Sequence, residues 1–184
     1  MGLTKAEQLM QLQDKYRIAV LSAYALALHG FEGLLPTPVP WLRLGLANII
    51  TLTTLLLYGF RAAMMVTLIR VMLGSLFTGT FLGPAFFLSL GGGLAGTLAM
   101  GLIYAAAPRL FSAFGLSIIG ALFHNIAQLS VAYFLFIQKI EPMLLITPFI
   151  ILLGTLTGAV NGIVSDILIR NLKKSMEKMQ NVHG

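Results

Sequence analysis

The chain has 184 residues, of which 58% are hydrophobic and only 10% charged, with a mean hydropathy of +0.91. A soluble domain carries about 25% charged residues, so this composition excludes an ordinary soluble fold and indicates an integral membrane protein. The net charge of +6 does not point to nucleic acid, because the basic residues fall at the ends of apolar runs, where membrane orientation accounts for them. With no cysteine in the chain, disulfides and thiolate metal sites are excluded.

The first segment, residues 1–17, reads "MGLTKAEQLMQLQDKYR". It is polar and amphipathic, without the compact apolar core of a signal peptide, and is expected to lie in the cytoplasm. The Met-Gly start is followed by Thr-Lys-Ala-Glu, which fits the myristoylation motif poorly. Six apolar segments then approach the roughly 20 residues needed to cross a bilayer as a helix. They are residues 18–35, 42–60, 62–78, 84–107, 116–137 and 143–169. The runs are continuous rather than alternating, which excludes a membrane β-barrel. The expected fold is an all-α, six-transmembrane-helix bundle over residues 18–170, followed by a basic cytoplasmic tail, residues 171–184, read as a frayed end.

Basic residues set the orientation. With both termini inside, the cytoplasmic side holds Lys5, Lys15, Arg17, Arg61, Arg109, Arg170, Lys173, Lys174 and Lys178, whereas the outside holds only Arg43 and Lys139. This bias predicts a multi-pass protein of the cell membrane with both termini cytoplasmic.

Polar residues inside the spans are the default site candidates, because each is costly in lipid. The loop "HGFEGLLPTPVPWLRLG" carries Glu32, Pro36, Pro38, Pro40, Trp41 and Arg43. Its prolines fix φ and remove donors, predicting a stiff outer cap, with Trp41 as an interfacial anchor. Asn48 and Thr51 share a face of the second span. Arg70 sits in the middle of the third, where a charge costs roughly 2.5–3.5 kcal/mol or more and cannot be relieved by deprotonation. The fifth span carries His124, Asn125 and Gln128, and Ser89 on the fourth completes an expected central cavity open to the outside. Against this stand simpler roles: Arg70 as a structural residue paired with a carbonyl or Glu32, and His124 as an interhelical hydrogen bonder.

Gly91, Gly92 and Gly93 lack the Lys-Ser or Lys-Thr of a phosphate loop; Gly92 and Gly96 instead form a GxxxG pair for close helix contact. Ala19, Ala23 and Ala27 form a small-residue stripe on the first span, suited either to internal packing or to a partner in the membrane. Asp166 and Arg170, four apart, predict a local ion pair. The sequence has no Walker A motif, no HExxH and no aspartate-rich diphosphate-metal motif, so no catalytic residue, metal site or cofactor is expected. Intramembrane carboxylates are nearly missing, which disfavours an autonomous proton-coupled pump.

The segments "PWLRLGLANIITL", "RVMLGSLFTGTF", "SLGGGLAG" and "GLSIIGALFHNIAQL" resemble the Gx transporter family, catalogued as heptaprenyl diphosphate synthase component I. That family is similar to the substrate-binding S components of energy-coupling factor (ECF) transporters. The resemblance implies a six-helix protein that takes a small ligand from outside and works with a transmembrane coupling protein and two cytoplasmic ATPases. It also implies that Ala19, Ala23 and Ala27 meet the coupling protein and that the loop after the first helix caps the ligand. The expected ligand is anionic or zwitterionic with an apolar body, of prenyl or quinone type in one version, held by Arg70, His124, Asn125, Gln128 and Asn48 with Arg43 and Glu32 at the cap. The alternative is a non-catalytic membrane accessory subunit in isoprenoid or heptaprenyl diphosphate metabolism.

Overall fold

The computed structural model describes residues 5–34, 45–108 and 110–183, with side chains described from 15–32, 45–108 and 110–174. Six α-helices follow one another: α1 Lys5–Leu34, α2 Asn48–Tyr58, α3 Phe60–Phe77, α4 Pro84–Ala106, α5 Ala113–Ala132 and α6 Ile140–His183. Tyr133–Ile137 extends α5 by a π-helical turn. No strand occurs among the described residues.

Among the described residues, four stretches are long and apolar enough to cross a membrane, namely Phe60–Phe77, Pro84–Ala106, Ala113–Ile137 and Ile140–Lys174. Within the second expected span, 42–60, the residues described from Gly45 on form the 11-residue helix α2 and, after Gly59, the first residue of α3; α2 is about 16 Å long at 1.5 Å per residue, about half a bilayer core. Two glycines set these limits. Gly45 has φ +81° and Gly59 has φ +85°, a left-handed region open to glycine at little cost and poorly tolerated by other residues. The basic tail also departs from expectation. It is rich in Lys, Met, Glu and Gln, all good helix formers, and α6 runs through it to His183.

Helix packing runs along glycine seams. α4 packs along α5, and α5 along α6. A Cβ at Gly96 would stand 2.9 Å from the Gly120 carbonyl oxygen, so the α4–α5 backbones nearly touch. On α6, Gly154, Gly158 and Gly162 face Asn125, Ala121 and the Phe114–Ser117 turn respectively. Without a hydrophobic force between helices in lipid, such close approach supplies the dispersion contact that holds a bundle together. Large apolar side chains such as Leu145, Leu152, Leu156 and Ile163 remain exposed along α6, as a lipid-facing surface requires. The expected pair forms as well, with Arg170 and Asp166 2.7 Å apart and largely exposed, so it adds little stability.

Candidate functional site

The ends of α1, α3 and α5 and the starts of α2, α4 and α6 share one end of the bundle. Between that end and its middle lies a small cavity lined by His29, Glu32, Gly45, Arg70, Ser89 and His124. Its volume is 10 Å³, about the space of one water molecule. α1, α3, α4 and α5 each deliver a polar group from within an apolar stretch. Arg70 is 2% exposed, Glu32 3%, His29 3% and His124 4%.

Each lining group is positioned by packing. The His29 ring packs against Gly74 of α3, where a Cβ would come within 2.5 Å of it. The Arg70 guanidinium leans on Gly93 of α4, and the His124 ring on Gly92. Glycine thus opens room for three large polar side chains at three helix contacts. The Glu32 carboxylate accepts a hydrogen bond from the Gly45 amide, and the Gly45 carbonyl accepts one from Asn161 Nδ2 of α6 at 2.9 Å. Four residues along α6, Ser165 Oγ donates to the Ile49 carbonyl at 3.1 Å. The entry to α2 is therefore tied to both α1 and α6.

Several buried polar atoms have no hydrogen-bond partner among the described residues. They include Ser89 Oγ, His124 Nε2 and both amide atoms of Gln128. Leaving a buried group unsatisfied costs about 1–3 kcal/mol, so a cluster of them marks a place where a ligand or water supplies the missing partners. Ser89 and His124 are not hydrogen-bonded to each other, so they do not form a base-activated nucleophile. Among the described residues, no three His, Cys, Asp or Glu side chains converge to hold a metal ion.

The residues singled out from sequence divide into groups. Glu32, Arg70, Ser89 and His124 line the cavity. Gln128 lies beside His124 over Gly92. Asn48 sits next to Gly45, which a Cβ would bring within 3.1 Å of its amide. Thr51 is bonded to Thr67, and Thr67 to Thr97, in a buried hydroxyl chain linking α2, α3 and α4. Asn125 faces the other way, against Gly154 of α6. Arg43 and the proline-rich cap lie outside the described residues.

Sequence reasoning passed over His29, Gly45 and Asn161. The signal for His29 was its place three residues before Glu32, which puts the two on one face of α1.

The family model described as heptaprenyl diphosphate synthase component I matches residues 21–168. No curated protein matches the chain in sequence. Among solved structures, the chain is similar to the S component of a bacterial ECF transporter. The TM-score is 0.70 at 25% identity, covering 90% of this chain and 98% of that one.

Proposed function

The chain belongs to the heptaprenyl diphosphate synthase component I family, and from that premise we propose that it is the membrane-embedded substrate-binding component of an ECF-type importer. The observation that carries this reading is the similarity to an S component over 98% of that chain. In this reading the chain crosses the cell membrane six times, the second time through the short α2 together with the residues before it, with both termini in the cytoplasm, and the cavity opens towards the outside. The folded unit is residues 18–170, with residues 1–17 and the basic tail as cytoplasmic extensions.

The ligand is a small anionic or zwitterionic molecule. Arg70 provides the fixed positive charge, and Ser89, His124 and Gln128 provide hydrogen bonds that the protein itself leaves unmade. Asn48, Glu32 and Arg43 act at the entry, and Asn125 supports α5 from its α6 side. A room for one water is far below the 300–1,000 Å³ of typical ligand pockets, so binding requires the site to widen. The polar ties around Gly45 are the contacts to exchange.

An S component hydrolyses no ATP, so a transmembrane coupling protein and two cytoplasmic ATPases supply the energy. Ala19, Ala23 and Ala27 are exposed on α1, leaving a flat strip for the coupling protein that the bundle itself does not use. The test is affinity purification from native membranes with uptake measured in parallel. Copurification of ATPases and a coupling protein supports the proposal. The family description motivates a second reading, an accessory subunit in heptaprenyl diphosphate metabolism, and copurification of a prenyl synthase without ATPases would favour it.

A further inference from the structure

The α4–α5 seam continues beyond the polar cavity. Going outward along it, Gly92 meets His124 and Gln128, then Leu88 shares a buried cluster with Ala132 and Met143. Finally Pro84, Ala132, Phe136 and Ile137 line a second cavity of 320 Å³. His124, Gln128 and Ala132 follow at spacing four on α5, as Gly92, Leu88 and Pro84 do on α4. Eight helical residues separate His124 from Ala132, about 12 Å. The polar and apolar cavities thus lie on one seam, two turns apart, with Leu88 between them.

The second cavity has a built wall. α5 ends in the π-helical turn Tyr133–Ile137, closed by Gln138 in the left-handed conformation. A π turn adds a residue to the helical circumference, and such turns are frequent at functional sites. Here it carries Phe136 and Ile137, two of the four described side chains that line the cavity. The volume falls at the lower end of the range for small-molecule pockets. Deeper on the seam, the unpartnered Gln128 amide is 3% exposed and His124 is 4% exposed, and Arg70 adds a positive charge beside His124.

We infer that the ligand is a single-headed amphiphile. Its anionic head lies among Arg70, Ser89, His124 and Gln128, and a tail of about ten carbons runs past Leu88 into the Pro84–Ala132–Phe136–Ile137 cavity. This inference rests on the substrate-binding role proposed above and adds the chemical class and the direction of the tail. The occupant of the apolar cavity is the ligand's own tail, and a membrane lipid is the competing occupant. The unmade hydrogen bonds decide for the ligand, because the seam that receives the tail ends on Ser89, His124 and Gln128 atoms without partners, beside an Arg70 that the head would share with Glu32 of the same cavity.

The experiment titrates purified full-length protein in nanodiscs of zwitterionic lipid with geranyl phosphate, dimethylallyl phosphate and geraniol. Geranyl phosphate should bind at least tenfold tighter than either of the others, since one lacks half the tail and the other lacks the charge. Ile137→Trp, which fills the cavity, and Phe136→Ala, which removes a wall, should each weaken geranyl phosphate at least fivefold and leave dimethylallyl phosphate within twofold. Using both variants guards against a folding defect in one, which the dimethylallyl phosphate control would expose. Equal affinity for the two phosphates would overturn the tail assignment, and equal affinity for geraniol would overturn the head. Native mass spectrometry supplies the lipid arm. Loss of a bound lipid in Ile137→Trp with geranyl phosphate binding unchanged would give the cavity to lipid and overturn the inference. The importer role has its own separate readout, since copurification of the coupling protein and ATPases does not depend on which probe binds.

Discussion

Arg70 is the residue on which the proposed binding site stands or falls, and its replacement by glutamine can be worked through quantitatively. The guanidinium is buried, leans on Gly93 and shares a cavity lining with Glu32. Arg70→Gln removes the cation and leaves a buried carboxylate in the same cavity. Stranding one partner of a buried charge set costs about 3–5 kcal/mol, so the single variant is expected to melt at a lower temperature whatever Arg70 does for the ligand. The double variant Arg70→Gln/Glu32→Gln separates the two effects. It removes both charges, and the glutamine oxygen at position 32 still accepts from the Gly45 amide, so most of the stability should return. Ligand affinity should not return, because a charge-assisted hydrogen bond to the ligand is worth about 1.5–3 kcal/mol, or roughly tenfold to a hundredfold. The assay identifies the small molecule retained by purified wild-type protein by mass spectrometry, then titrates it against all variants alongside thermal melting. A stable double variant that binds within threefold of wild type would refute the anchor role and leave Arg70 as a structural residue.

Topology follows from the basic bias: in a chain without native cysteine, an impermeant thiol reagent should label Thr37→Cys from outside and miss Ser112→Cys, and the reverse pattern would invert the orientation. Two glycine substitutions should diverge. Gly96→Ala brings a Cβ to 2.9 Å from the Gly120 carbonyl oxygen and should destabilise by about 1–3 kcal/mol, whereas Gly30→Ala meets nothing within 4 Å and should be neutral or stabilising by up to about 1 kcal/mol. Thermal melting of both in nanodiscs checks this, and equal losses would contradict the packing argument. Ala23→Leu falls on the exposed face of α1, so ligand affinity and melting temperature should hold while copurification with coupling protein and uptake are lost; unchanged uptake would remove the interface.

Much of this architecture is legible in the sequence because hydropathy and charge act over long stretches. Arg70, Glu32 and His124 stand out as polar residues in apolar surroundings, and the structure brings them to one cavity. Helix limits are less legible. Gly45 and Gly59 sit within an apolar run, so hydropathy passes through both, whereas their positive φ angles stop α2 at either end. Asn125 illustrates a different limit. Adjacent residues on a helix point about 100° apart, so His124 and Asn125 cannot share a face, but the sequence alone does not say which face meets which neighbour. The answer lies on α6, where Gly154, Gly158 and Gly162 repeat at spacing four and receive Asn125, Ala121 and Ser117.

The two kinds of helix contact divide the bundle by how readily each can be exchanged. α4, α5 and α6 meet through glycines that leave no room for a Cβ, so the helices are locked at close approach whether the neighbour is backbone, as at Gly96–Gly120, or a side chain, as at Gly154–Asn125. The entry to α2 is held instead by hydrogen bonds, from Gly45 to Glu32, from Asn161 to Gly45 and from Ser165 to Ile49. A hydrogen bond within a protein contributes only about 0.5–1.5 kcal/mol net, because another partner can replace it. An anionic ligand beside Arg70 is such a partner for groups in this region, whereas nothing a ligand offers replaces the Gly96–Gly120 approach. In the proposed importer, opening of the cavity would fall to α1 and the start of α2, held by hydrogen bonds, rather than to the α4–α5–α6 half. The exposed alanine face lies on the same helix as His29 and Glu32, so in the proposed importer the surface available to the coupling protein and the wall of the ligand site would be two faces of one element.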